Sequence, residues 1–271
     1  MVRSLREVYS VPYDQEVKVA NRSVPTVPGR QTMVTTGKGK EQTIIAGKPQ
    51  VTSQTGKVEG GNQVDVVFVF DSTGSMDDKI SALVQTCTQF VEEAGKLQLD
   101  AQFALISFGD ISVRGGGDKI ELVVPLTPDI ATVKHGLTYI PRNNGFGNVG
   151  ESSMEAMQEV FGLPYRPKAV KVVILITDEP ALQHQYKAKE VTARLTEREF
   201  LVFVIATDEP YYREMAQKNG GIWKKIGANT DLSEILAIFK EIAKKVSRVA
   251  KDVHLLGKGS VRAYLKQLPP G

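Results

Sequence analysis

The residues best suited to chemistry are Asp71-Ser72-Thr73-Gly74-Ser75, which place one carboxylate and three hydroxyls directly after an apolar run at 66–70. A second carboxylate, Asp178, follows another apolar run. Carboxylate and hydroxyl oxygens are hard ligands, and a small set of them suits Mg²⁺, which keeps several waters in an octahedral shell. These segments predict a site for Mg²⁺, with Mn²⁺ as the alternative ion, if the two runs are neighbouring strands.

The order of apolar and amphipathic segments predicts an α/β fold that can position these residues. Buried strands are expected at 64–70, 101–108, 120–126, 170–176, 200–206 and 221–223. Helical periodicity predicts helices at 77–95, 128–138, 151–162, 183–198 and 231–248, with a further short helix before the last strand. Alternation of this kind favours a doubly wound, mostly parallel sheet of six strands with helices on both faces. The short Gly-Gly-Gly connection before residue 120 predicts one antiparallel strand.

An open α/β sheet binds its ligands in the crevice beyond the carboxyl ends of its strands. Asp71 and Asp178 both stand at such ends. Gly74 allows the backbone to turn tightly enough to aim residues 73 and 75 at one point. The predicted fold therefore supplies the geometry that the metal site needs.

Composition divides the chain into three segments. Residues 1–62 contain nine Lys or Arg and five Asp or Glu, a net charge of +4. We expect an N-terminal arm there, with a β-hairpin over residues 31–46, and a disordered tail is the alternative. Residues 63–247 form the predicted α/β domain, and residues 248–271 form a basic C-terminal tail.

The cysteine count and the hydropathy pattern bear on the compartment. Cys87 is the one cysteine of the chain, so no disulfide can form within it, and a reducing compartment is expected. The start of the sequence lacks the apolar stretch of a signal peptide, and no apolar run reaches the length of a membrane span. We therefore expect a cytoplasmic protein without membrane contact.

The motif Asp-Ser-Thr-Gly-Ser-Met at 71–76 resembles the metal-ion-dependent adhesion site of the von Willebrand factor A domain, as found in intracellular bacterial members. Ile-Thr-Asp at 176–178 resembles the second carboxylate motif of that family, and the resemblance extends over residues 63–247. It implies a sheet with the strand order 3-2-1-4-5-6, in which the first and fourth strands are neighbours.

The resemblance also implies a role for each residue of the site. Thr73 and Ser75 would bind the ion directly, whereas Asp71 and Asp178 would act largely through waters and hydrogen bonds. The family usually contributes a threonine from a third loop, and the loop at 143–153 contains none.

The third ligand therefore stays open between three candidates. In the register of a family subgroup, Asn148 replaces an aspartate and Glu151 keeps a glutamate. Either residue, or a water, completes the predicted site.

Two other readings of these residues fail on sequence grounds. The stretch at 145–150 fits Gly-x-Gly-x-x-Gly, yet it neither follows a strand directly nor has an acid about twenty residues on, as a dinucleotide site requires. A serine nucleophile needs a histidine base, and His135, His184 and His254 are scattered along the chain. We therefore predict no enzymatic activity.

The leading functional hypothesis is a metal-dependent protein-interaction module, an adaptor or assembly subunit of an intracellular complex. Neutral hydroxyl ligands leave the ion short of negative charge, and an Asp or Glu of a partner protein supplies it. Nucleic-acid binding by the basic arm and tail is the alternative, although the net charge of +3 is modest. A third hypothesis is a structural homo-oligomer that assembles through the arm.

Overall fold

The computed structural model describes residues 63–96, 99–147, 149–226, 230, 232–255 and 260–267. The predicted hairpin at 31–46 lies outside these residues and stays a prediction. One sheet is formed by β1 (Gln63–Asp71), β2 (Asp100–Phe108), β3 (Glu121–Thr127), β4 (Val170–Thr177), β5 (Phe200–Ala206) and β6 (Trp223–Lys225). The helices are α1 (Asp77–Lys96), α2 (Ile130–Thr138), α3 (Ser153–Glu159), α4 (Ala188–Glu197), α5 (Pro210–Lys218), α6 (Leu232–Leu255) and α7 (Val261–Leu265).

The sheet confirms the expected fold class and strand order. Its order is β3-β2-β1-β4-β5-β6, and every neighbouring pair is parallel except β2 with β3. Strand β1 therefore lies in the middle, and its apolar run is buried on both faces, as is typical of a parallel sheet covered by helices. β1 and β4 are direct neighbours, so their carboxyl ends meet at one edge.

Alternate residues of β1 pack into two separate hydrophobic cores, one on each face of the sheet. Phe68 and Phe70 point to the face covered by α1, α2, α6 and α7, where Phe68 lies edge-on to Phe90. Val67 and Val69 point to the opposite face, which α3, α4 and α5 cover. This two-sided burial holds β1 firmly and thereby holds the turn that follows it. No helix of the described residues combines the length and the apolar character needed to cross a membrane.

Several predicted boundaries need correction. Two predicted helices, at 151–162 and 183–198, are shorter in the structure, where α3 spans Ser153–Glu159 and α4 spans Ala188–Glu197. The last strand lies at Trp223–Lys225 rather than at 221–223.

The end of the domain also differs from the expectation of a helix to 248 followed by a tail. Helix α6 continues to Leu255, because Val249, Ala250 and Val253 extend its apolar face into the core. Tyr264 of α7 packs into the same core. The described part of the 248–271 segment is therefore packed against the sheet domain.

Candidate metal centre

The ends of β1 and β4 bring the two predicted carboxylates to one edge of the sheet. Phe70 pairs with Ile176, so Asp71 and Thr177 leave the sheet side by side. Thr177 donates its hydroxyl to Oδ2 of Asp71 at 2.6 Å. Asp178 follows immediately, and the sequence prediction that the first and fourth strands are neighbours is confirmed.

The turn after β1 folds its hydroxyls back onto these carboxylates. Thr73 donates both its backbone N–H, at 3.0 Å, and its hydroxyl, at 2.7 Å, to Oδ1 of Asp71. Ser75 donates its hydroxyl to Oδ1 of Asp178 at 2.8 Å. The two hydroxyl oxygens lie 3.2 Å apart. Asp71, Thr73, Ser75 and Asp178 thus form one continuous chain of contacts.

Burial dominates the electrostatics of Asp71, which is completely inaccessible to solvent. Desolvation raises the pKa of this carboxyl to about 6, although the hydrogen bonds from Thr177 and Thr73 favour its charged form and act in the opposite direction. The nearby Asp178 adds a smaller repulsion. A nearby positive charge would therefore stabilise the ionised form of Asp71.

Glu151, one of the candidates for the third ligand, lies beside this turn. Its backbone pairs with the loop after β4, donating to the carbonyl of Pro180 at 2.9 Å. A Cβ placed on Gly145 would come within 2.8 Å of Oε1 of Glu151 and 3.0 Å of Cβ of Thr73, so both side chains border the same glycine. Gly145 has φ +68°, a backbone conformation that favours glycine, and its missing side chain leaves room for this close approach.

The carboxyl of Glu151 is buried in negative surroundings. Only 2 % of the residue is exposed, and Oε2 has no hydrogen-bond partner within the described part of the chain. Burial, with the charges of Asp71, Asp110 and Asp118 as further causes, raises the pKa of Glu151 to about 9. A buried acceptor without a partner indicates a group that awaits a ligand, a water or an ion. Asn148, the other candidate, lies outside the described residues and stays a prediction.

Three contributors were missed by the sequence reasoning. Lys79 of α1 forms an ion pair with Asp178 at 3.0 Å. Asp118 anchors the glycine-rich loop by accepting the backbone N–H groups of Asn144 at 2.7 Å and Gly145 at 2.9 Å. Thr177 belongs to the Ile-Thr-Asp motif, which was the only signal for it in the sequence. The partners of Lys79 and Asp118 are set by contacts across the fold.

The donor set fits a divalent ion. Each hydroxyl carries one proton, and Thr73 and Ser75 both direct theirs at a carboxylate, so the lone pairs of the two oxygens remain for a cation. Adjacent ligands of an octahedral Mg²⁺ stand about 3 Å apart, given bonds of about 2.1 Å, and the two oxygens are separated by 3.2 Å. The described residues contain no group of three His, Cys, Asp or Glu side chains placed to hold a metal, so the fit rests on the hydroxyls.

Comparison with curated and solved proteins places the chain among known domains. Over 187 residues it is 25% identical to the alpha-protein kinase vwkA of Dictyostelium discoideum, a match that covers 68% of this chain and 28% of that protein. The chain thus spans little more than a quarter of the length of this relative.

Solved structures share the fold. One is proximal thread matrix protein 1 from the mussel byssus, solved with zinc in its metal-ion-dependent adhesion site (MIDAS) motif. It is 16% identical with a TM-score of 0.55, and the match covers 69% of this chain and 46% of that one. The pilus adhesin SpaC of Lactobacillus rhamnosus GG is 15% identical with a TM-score of 0.50, covering 69% and 30%. Residues 65–246 match the family profile of the von Willebrand factor type A domain. The chain therefore belongs to the von Willebrand factor type A (vWA) domain family.

Proposed function

We propose that this vWA domain is a protein-interaction module that binds Mg²⁺, or Mn²⁺ in its place, and through the ion an Asp or Glu side chain of a partner protein. Thr73 and Ser75 would hold the ion, with Asp71 and Asp178 in support and Glu151 in reach of the same turn. The single observation that carries this proposal is the pair of hydroxyl oxygens 3.2 Å apart whose protons both go to carboxylates.

The chemistry of the ligands explains why a partner carboxylate is needed. Hydroxyl oxygens coordinate an ion without cancelling its charge, and a bound divalent cation is the largest local charge in such a site. An anion from outside supplies the missing charge. We propose on this basis an adaptor or assembly subunit of a cytoplasmic complex rather than an enzyme, because both hydroxyls donate to carboxylates instead of to a histidine base.

Exposed apolar side chains beside the site support a protein as the partner. Phe146 is 39% exposed and Val149 is 81% exposed, and both belong to the glycine-rich loop. The loop runs close to the site at both ends, since Gly145 borders Thr73 and Gly150 borders the carbonyl of Pro180. Aromatic and other apolar side chains are enriched at the centre of protein interfaces.

The proposal is tested by capture of partners from native lysate, with Mg²⁺ and with chelator in parallel, followed by mass spectrometry. Ser75→Ala removes one direct ligand and should abolish capture. Ser81→Ala, an exposed serine on α1, is the matched control and should capture like the parent. Chelator should abolish capture by the parent and change nothing further in Ser75→Ala.

The melting temperature of each chelated protein separates loss of binding from loss of folding. Ser75→Ala should melt within about 2 °C of the parent, since the substitution removes no buried apolar group. If Ser75→Ala captures the same partners as the parent and chelator has no effect, the proposed function is wrong.

A further inference from the structure

Lys79 occupies an unexpected position for a lysine. It lies in the first turn of α1, where the helix dipole disfavours a positive charge, and only 5% of the residue is exposed. Lysine is almost never buried to this degree unless it is paired. Its ammonium group donates to the backbone carbonyl of Ser75 at 2.9 Å and to Oδ2 of Asp178 at 3.0 Å. The tertiary structure thus brings a fixed cation into direct contact with the candidate metal centre.

The ion pair divides the two oxygens of Asp178 between two different groups. Oδ1 accepts the hydroxyl of Ser75, and Oδ2 contacts the ammonium of Lys79. The side chains of Lys79 and Asp178 are each only 6% exposed, so water screens the pair weakly. Within the described part of the chain, by contrast, Asp71 accepts hydrogen bonds only from neutral groups, those of Thr73 and Thr177. One of the two acidic groups that face the hydroxyl ligands is therefore already neutralised by the protein.

From this arrangement we infer that Lys79 weakens the binding of the ion alone and strengthens the binding of a carboxylate, so that the ion is retained chiefly when an acidic partner is present. The inference rests on the proposed function and adds the residue that regulates it. An ion held by Thr73 and Ser75 is repelled by the ammonium and loses part of the attraction of Asp178. A carboxylate that arrives at the ion meets a site with more positive charge than the two acidic side chains would suggest.

The consequence is a site whose affinity for the ion differs between the free domain and the domain bound to a partner carboxylate. With a weak intrinsic affinity, the domain exchanges its ion freely, and a partner carboxylate raises ion occupancy; by thermodynamic linkage, the ion raises affinity for the carboxylate by the same factor. Without the charge of Lys79, the domain would keep the ion bound even when no partner is present.

The test is calorimetric titration of Mn²⁺ and Mg²⁺ alone into the full chain and into three variants of Lys79. Lys79→Met removes the charge and the donors, Lys79→Gln removes the charge but keeps donors, and Lys79→Arg keeps the charge. We expect Met and Gln to bind either ion at least tenfold more tightly than the parent, whereas Arg should stay within about threefold. Acetate titrated into the Mn²⁺-loaded proteins should bind several-fold more weakly to Met and Gln than to the parent.

The outcomes separate the inference from the proposed function. If the parent binds ions and Lys79→Met and Lys79→Gln bind them no more tightly, Lys79 is purely structural and the inference is wrong, while the proposed function stands. If the parent binds no ion, and resembles Ser75→Ala in this respect, both fail. If Lys79→Met does not fold, the comparison of Lys79→Gln with Lys79→Arg decides the matter, since they differ in charge and both can bond the carbonyl of Ser75.

Discussion

Each end of strand β1 carries a buried aspartate, and the two aspartates have different kinds of partner. Asp65 and Asp71 both have no solvent exposure and stand six residues apart on the same strand. At the amino end, Asp65 accepts the backbone N–H and Nε of Arg166 at 2.7 and 2.8 Å, and Nη2 of the same guanidinium lies 2.7 Å away. At the carboxyl end, Asp71 receives hydroxyls and one backbone N–H instead.

The two aspartates differ in whether a cation offsets the cost of burying their charge. A buried carboxylate is costly unless it is paired and hydrogen-bonded, and Arg166 meets both conditions for Asp65 while also bonding Asp100 at 2.6 Å. Asp71 has hydrogen bonds without a permanent cation of its own, and its pKa is raised to about 6 by burial. The carboxylate at the amino end of β1 is thus neutralised by Arg166, whereas Asp71 at the carboxyl end has no ion pair among the described residues.

The largest expected effect is a loss of stability at the amino end of β1, around Asp65. Arg166→Met leaves Asp65 buried without its partner, and we expect the free energy of unfolding to fall by about 3–5 kcal/mol, equally with and without metal. Chemical denaturation measures it. Lys168→Met, an exposed lysine in the same loop, is the control and should change stability by less than about 0.5 kcal/mol. A loss below about 1 kcal/mol in Arg166→Met would contradict the view of this edge as a structural ion pair.

The next effect concerns the carboxyl end of β1, where Asp71 should contribute to stabilisation by metal. Asp71→Asn keeps the shape of the side chain and removes its charge, so the chelated protein should be as stable as the parent or more stable. Stabilisation by metal should disappear; for the parent, an ion at ten times its dissociation constant contributes about 1.4 kcal/mol. Thermal melting with Mg²⁺ and with chelator measures both. Equal metal-induced shifts in Asp71→Asn and the parent would remove Asp71 from the site.

The smallest effect, when taken over a single pH unit, is a pH dependence that arises from Glu151. Because its pKa is raised from 4.5 to about 9, the folded chelated protein holds a proton that the unfolded chain has released. Stability should therefore be greatest below about pH 4.5 as far as this group is concerned. It should decline as pH rises towards 9, with a slope below the limit of about 1.4 kcal/mol per pH unit that one proton sets, because water partly screens the group.

The matched variant for this pH dependence is Glu151→Gln, which mimics the protonated carboxyl. Its unfolding free energy in chelator should vary less with pH between 6 and 9 than that of the parent. Identical slopes in both proteins would mean that Glu151 titrates normally and does not contribute the burial effect assigned to it.

Much of the fold and part of the site could be predicted from local patterns. The apolar run before Asp71 must be a buried strand, and its termination by a carboxylate, hydroxyls and a glycine is a local feature that predicts a ligand turn without reference to the rest of the chain. Helix boundaries were less predictable: α4 begins at Ala188 rather than near 183, and α6 continues to Leu255. The ends of helices depend on which apolar residues find a surface to pack against, which the periodicity of one segment does not contain.

The sequence by itself determined the type of fold and the strand ends that carry Asp71 and Asp178, and it placed the hydroxyls of Thr73 and Ser75 next to them in one short turn. Only the tertiary structure decided which groups control the charge of that site. Lys79 reaches Asp178 across 99 residues of sequence, and Glu151 is buried beside Thr73 by a loop whose direction no local pattern specifies. The physical reason is that a hydroxyl turn is built from neighbouring residues, whereas the ionisation and pairing of a carboxylate depend on burial and on charges that the packed sheet and helices bring together.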